Sequence, residues 1–187
     1  MKKIGLVVAM AVVTLMVVAL SRLGWAQSSS PNTAAANAPL SHSESGFEFT
    51  VAAQYKSVAP LFGALGERCW GGDDWNPEFV YPSPAADKPG AVFTLSHGNA
   101  RSTWINTIFD LKSGHIQYVY LLPNTIAVLV EINVRSQGEA KTAVNVQYQR
   151  TALRPEINPH ITELAKHDEK MGQEWAEAIA ACLKAPK

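Results

Sequence analysis

The residue whose position asks most of its surroundings is Arg150. From Thr142 to Thr151 the sequence alternates with a period of two, so Thr142, Val144, Val146, Tyr148 and Arg150 share a face that begins apolar and ends polar. An inward guanidinium must meet a carboxylate or an anionic ligand, because burying it unpaired is very costly. Asp168 is the most economical partner, since it falls between Leu164 and Met171 in the apolar stripe of the last segment. The two either tie the fold together or form part of a ligand site, and the sequence leaves both open. His97 shares a strand face with Phe93 and Leu95. There it serves as a ligand contact, an acid or base, or a hydrogen-bonded histidine at the sheet rim. Around these groups runs a set of aromatic faces: Trp75, Phe79 and Tyr81; Trp104 with Asn106 and Ile108; Tyr118 and Tyr120. Whether core or pocket lining, such rings favour a flat or apolar guest over a charged one.

Other chemistries are excluded by what is missing. His160 and His167 lie two helical turns apart, roughly 10 Å, too far to share one metal. The sequence contains no HExxH, CxxC, GxxxxGK or GxSxG string. Nor does it offer the close carboxylate pair of a glycosidase. We therefore expect no metal, no cofactor and no catalytic set of a familiar kind.

The elements that must position these side chains are legible from punctuation and period. FEFTVAA, from Phe47 to Ala53, alternates as a first strand. Tyr55–Gly63 and Glu67–Gly71 read as two short helices, or one bent helix, broken by Pro60, Gly63 and Gly66. Six further strands follow, over 75–81, 91–97, 102–111, 115–121, 126–135 and 142–151, divided by Pro and Gly clusters. Their links are too short for helical crossovers, which predicts an antiparallel sheet. The final segment carries Ile161, Leu164, Met171, Trp175, Ala178 and Cys182 at three- and four-residue steps, with Asn158 placed to cap it and Pro159 at its first position. About 25 residues of helix would extend roughly 37 Å, across the whole sheet.

The N-terminus reads as an address. Lys2 and Lys3 precede a 17-residue apolar run from Ile4 to Leu20, and Gly24 and Ala26 supply the small residues of a cleavage site. We expect a bacterial secretory signal over residues 1–26 and export to the periplasm or beyond. An uncleaved inner-membrane anchor is the alternative, because the run lies at the low end of the roughly 17–25 residues that span a bilayer. Residues 27–45 form a Ser-, Ala-, Asn- and Pro-rich linker with one Leu, too polar to order itself. Without the first 26 residues, which hold three of the 16 Lys and Arg and none of the 16 Asp and Glu, net charge falls to about −3. That balance lacks the electrostatic footprint of a nucleic-acid binder and offers no basic patch for anionic lipid. Membrane contact is expected only through the N-terminal segment, if it is retained, and the oligomeric state is left open.

Several strings give the chain a likeness: GERCW at Gly66–Trp70, WNPEF at Trp75–Phe79, GAVFTLSHG at Gly90–Gly98, IQY at Ile116–Tyr118 and YQRTAL at Tyr148–Leu153. Together with the element order, they resemble a bacterial branch of the START-like superfamily, often labelled SRPBCC, which includes polyketide cyclase and dehydrase relatives and lipid-transfer proteins. The resemblance covers Phe47–Leu183. It implies an α+β helix-grip fold over residues 46–185: a curved seven-stranded antiparallel sheet around a long C-terminal helix, with two short helices after the first strand. It also implies a cavity between sheet and helix, lined by Trp75, Phe79, His97, Trp104, Asn106, Tyr118, Tyr120, Tyr148, Arg150 and Asp168. In that fold the short helices cradle the end of the long helix, which brings Cys69 and Cys182 within reach of a disulfide; two free thiols are the alternative. The expected role is to bind a small hydrophobic or amphipathic molecule such as a lipid, polyketide or aromatic metabolite. A cyclase or dehydratase using His97, Tyr148, Arg150 and Asp168 is the competing expectation.

Overall fold

A computed structural model describes residues 38–185. The signal segment and residues 27–37 of the linker lie outside the described residues. The elements are strand β1 (His42–Val51), helix α1 (Tyr55–Val58), 3-10 turns over Ala59–Phe62 and Gly66–Cys69, strands β2 (Glu78–Tyr81), β3 (Val92–His97), β4 (Ala100–Asp110), β5 (His115–Leu122), β6 (Ile126–Ser136) and β7 (Thr142–Ala152), and helices α2 (Asn158–Asp168) and α3 (Met171–Lys184). The strands form one sheet in the order β1-β7-β6-β5-β4-β3-β2, and each neighbouring pair is antiparallel.

The predicted alternation sets the two faces of this sheet. Phe47, Phe49 and Val51 on β1, Val144 and Val146 on β7, and Val128, Val130, Ile132 and Val134 on β6 are buried on the concave side. Ile161, Leu164, Met171, Trp175 and Ile179 close over them from α2 and α3. Phe47 meets Trp175 edge-on at 5.1 Å between ring centroids, and Trp70 packs on the same indole at 4.8 Å. Both helices lie chiefly against β1, so the β1–β7 half of the sheet is the half they cover.

Four details depart from the sequence reading. Strand β1 begins at His42, so residues 42–45 pair with Gln149–Thr151 and Tyr148 of β7 and belong to the sheet rather than to the linker. The C-terminal helix comes as two segments, separated at Glu169–Lys170, where the Lys170 amide bonds three residues back to His167. The break precedes Gly172, where a Cβ would stand 2.8 Å from the Glu48 carbonyl oxygen, so the second segment presses directly onto the β1 backbone. Asn158 does not cap the helix. Its amide instead accepts from the Ser41 amide and donates to the Pro39 carbonyl, fastening the start of the domain to α2. Finally, a bulge between Asn106 and Ile108 moves β4 out of phase. Trp104 and Asn106 face inward as expected, but Ile108 lies opposite Gln117 on the outer face and Phe109 takes the inner position opposite Ile116.

Candidate functional site

The concave side of β2–β5 carries an aromatic wall. Phe93 is at its centre, stacked on Phe79 (5.5 Å) and Trp104 (5.8 Å) and touched edge-on by Trp75 (6.3 Å) and Tyr118 (6.1 Å). Trp104 stacks in turn on Tyr120 at 4.2 Å. Cross-strand register produces this arrangement, because Phe93, Trp104 and Tyr120 occupy directly opposed positions on β3, β4 and β5. Trp75 is not in a strand. Its indole is held from the preceding loop by a 2.9 Å bond to the Ala64 carbonyl. Tyr81, expected on the same face, is exposed beyond a bulge in β2 and lies beneath Lys88.

Burial divides the wall in two. Phe93 and Tyr118 are buried, whereas Trp75, Phe79, Trp104, Tyr120 and, on β7, Tyr148 keep accessible surface. Burial nevertheless raises the pKa of Tyr120 and Tyr148. The convex side of β1 and β7 has an open groove of about 450 Å³ between Glu48, Thr50, Arg135 and Asn145. None of the candidate residues lines it.

One buried polar group of the aromatic wall has no hydrogen-bond partner among the described residues. Asn106 is 1% exposed, and neither amide atom makes a hydrogen bond. Its amide lies close enough to the Tyr118 hydroxyl to offset slightly the rise that burial gives that phenol. Tyr118 donates to the Phe62 carbonyl at 2.9 Å. Glu67, in a neighbouring segment, was not among the sequence candidates. It sits in the Gly66–Cys69 turn, and its carboxyl is hydrogen-bonded to none of the described residues. Desolvation first, and the neighbouring Asp87 second, push its pKa well above the usual carboxylate range.

The turn that carries Glu67 is closely constrained. Asp87 accepts the Leu65 amide on both carboxylate oxygens, at 3.2 and 3.3 Å, with the Ala64 and Gly66 amides also turned toward it. A Cβ on Gly66 would meet the Pro60 oxygen at 2.2 Å, and one on Gly71 would meet Glu67 Cγ at 2.9 Å. Cys69, in the same turn, is disulfide-bonded to Cys182 of α3, with Cα atoms 5.5 Å apart. The bond joins the Glu67 turn to the last helix.

Arg150 and Asp168 form a closed unit. They are 3% and 2% exposed and pair through two contacts: Arg150 Nη1 with Asp168 Oδ2, and Nη2 with Oδ1 at 3.0 Å. Ser45 completes the unit, donating to Asp168 at 2.5 Å and accepting from Arg150 Nη1 at 2.9 Å. The guanidinium lies 4.0 Å from the centre of the Tyr148 ring. His97 ends β3 opposite Ala100, and its side chain lies outside the described residues. Thus Trp75, Phe79, Trp104, Asn106, Tyr118 and Tyr120 come together in one wall, and Tyr148 joins Arg150 and Asp168 beside it, with Tyr120 feeling the charges of both. Among the described residues no group of His, Cys, Asp or Glu could hold a metal ion.

Comparison with solved structures places this geometry. Norcoclaurine synthase from Thalictrum flavum, in complex with dopamine and hydroxybenzaldehyde, is 13% identical over 89% of this chain and 99% of its own, with a TM-score of 0.58. A protein of Rhizobium loti is similar at 18% identity over 78% of this chain and 99% of its own, TM-score 0.55. A hypothetical protein of Helicobacter pylori matches at 11% identity over 85% of this chain and 98% of its own, TM-score 0.57. The fold is the helix-grip fold. No protein-family model matches the chain, and no curated protein matches it. At these identities the likeness carries the helix-grip architecture alone, and function has to be argued from the site.

Proposed function

We propose that this chain is an exported binding protein, a bacterial member of the START-like superfamily, that holds a small apolar or amphipathic molecule between the sheet and the C-terminal helices. The observation that carries the reading is the inner aromatic wall. Trp75, Phe79, Trp104, Tyr120 and Tyr148 face the concave side of the sheet and remain only half-buried. A sheet with no guest to receive has every reason to fill this face with close-packed aliphatic side chains, as Val128, Val130, Ile132 and Val134 of β6 do. A few polar groups among apolar walls are the usual composition of a small-molecule site. The helix-grip neighbour norcoclaurine synthase, in complex with dopamine and hydroxybenzaldehyde, supports an aromatic guest of that size.

The export part of the proposal rests on the sequence of residues 1–26 and agrees with a disulfide in the folded domain. Against the competing cyclase or dehydratase reading, two of its four residues, Arg150 and Asp168, are engaged with each other and with Ser45. Native mass spectrometry of the protein isolated from its own host tests the binding reading. The expected result is a 1:1 adduct with a small molecule that is released on denaturation. Repeated isolation of a mass equal to the polypeptide alone, under conditions that preserve a known helix-grip complex, counts against it.

A further inference from the structure

We infer that Asn106 is the polar anchor of the aromatic wall, and that it selects a neutral guest whose hydroxyl or amide group both donates and accepts a hydrogen bond. The inference rests on the proposed binding site and adds to it the chemical group the guest must carry. Strand geometry places Asn106. It lies two residues after Trp104 on the inner face of β4, directly opposite Tyr118 of β5. Its backbone is fully engaged, since its N–H donates to the Ala91 carbonyl at 2.9 Å and its carbonyl accepts the Gly90 amide at 2.7 Å. Its side chain is 1% exposed, and both Nδ2 and Oδ1 are without a partner among the described residues. Tyr118, the polar residue across from it, gives its own proton to the Phe62 carbonyl.

A buried carboxamide left in that state costs stability that an apolar side chain of the same size would not. Leucine would fill the same volume without that cost. The bulge that follows is the second, independent sign. It interrupts the β4–β5 register directly after Asn106 and is pinned from the solvent side by Thr107, whose hydroxyl lies 3.1 Å from the Gln117 carbonyl oxygen and 2.8 Å from Gln117 Oε1. Bulges gather beside binding and active sites, where they re-aim a side chain. What the amide requires is two-sided. A carboxylate only accepts and leaves Oδ1 stranded, an ammonium only donates and leaves Nδ2 stranded, and either brings an unpaired charge against aromatic rings. A hydroxyl or a carboxamide satisfies both atoms and brings no charge. The amide itself is covered, so a guest reaches it by displacing a ring of the wall. Trp104, half-buried and two residues away on the same face, is placed to give way.

The test uses the full chain and three naphthalenes of similar outline: 2-naphthol, which donates and accepts; 2-methoxynaphthalene, which only accepts; and 2-methylnaphthalene, which does neither. Each competes against N-phenyl-1-naphthylamine, a neutral fluorescent probe that reports on the apolar site by itself. Asn106→Leu is expected to remove about tenfold of the affinity for 2-naphthol, to remove less from the methyl ether, and to leave 2-methylnaphthalene within about twofold. Should Asn106→Leu fail to fold, NMR of the native chain decides the matter. The side-chain amide resonances of Asn106 are expected to shift on addition of 2-naphthol by clearly more than on addition of 2-methylnaphthalene. An unchanged ratio of 2-naphthol to 2-methylnaphthalene affinity in Asn106→Leu, or amide resonances that respond alike to the two compounds, overturns the inference while leaving the binding reading intact. Failure of N-phenyl-1-naphthylamine to bind overturns the binding reading and the inference with it.

Discussion

Asp168→Ala is expected to cost about 3–5 kcal/mol of folding stability, because it leaves the Arg150 guanidinium buried and unpaired. The native margin of a domain this size is about 5–15 kcal/mol, so the variant should be partly unfolded under mild conditions. The cost comes from the stranded charge more than from the lost attraction. A triple replacement that removes the whole unit, Arg150→Met with Asp168→Leu and Ser45→Ala, is therefore expected to recover most of the loss. Urea unfolding of the single and triple variants measures both numbers. A structural tie predicts this pattern together with unchanged probe binding in the triple variant. If Asp168→Ala proves as stable as the native chain, the ion pair does not hold α2 to β7.

The second large effect belongs to the disulfide. Cys69 and Cys182 close a loop of 113 residues, for which chain entropy alone predicts about 4–5 kcal/mol. Replacing both with serine should lower the midpoint of urea unfolding by a corresponding amount. It should also loosen the Gly66–Cys69 turn, so guest affinity is expected to fall before the fold is lost. Thiol alkylation followed by mass spectrometry of protein from its native compartment checks the bond directly. Two alkylatable thiols without reductant would contradict it.

The parts of this molecule that are legible in the sequence are those governed by a short period. Alternation along residues 142–151 places Arg150 inward, the helical stripe places Asp168 opposite it, and the structure joins the two. Trp104, Tyr118 and Tyr120 fall on the inner face for the same reason. Legibility stops where a single residue shifts the phase or where a distant segment sets the direction. The bulge at Thr107 has neither Gly nor Pro to announce it, yet it exchanges Ile108 for Phe109 on the inner face. The break between α2 and α3 is equally silent, since neither Gly nor Pro stands at Glu169–Lys170.

Glu67 illustrates the same limit in the turn after the first strand. In GERCW it reads as an ordinary charged residue in a short turn, with no periodicity to say which way it points. The turn that carries it is held by Asp87, twenty residues further on, by the close contacts of Gly66 and Gly71, and by the bond from Cys69 to the last helix. Only the coincidence of a glutamate between Gly66 and Cys69 hints that the turn is held for a purpose. Ser45 makes a similar point in the polar tract. Composition assigns it to the linker, while its hydroxyl completes the most deeply buried ion pair in the described structure.

The central claim is that the concave face of β2–β5 receives a guest, and two adjacent residues of β4 test it. Trp104 points to that face, whereas Ile105 points to the opposite one and is 41% exposed. Binding of N-phenyl-1-naphthylamine is measured by fluorescence in the native chain, in Trp104→Ala and in Ile105→Ala. The account predicts that Trp104→Ala weakens binding by about tenfold or more, the loss expected for removing an aromatic contact surface, and that Ile105→Ala leaves it unchanged. Equal effects of the two substitutions, or a larger one from Ile105→Ala, would place the probe outside the concave face and contradict the account.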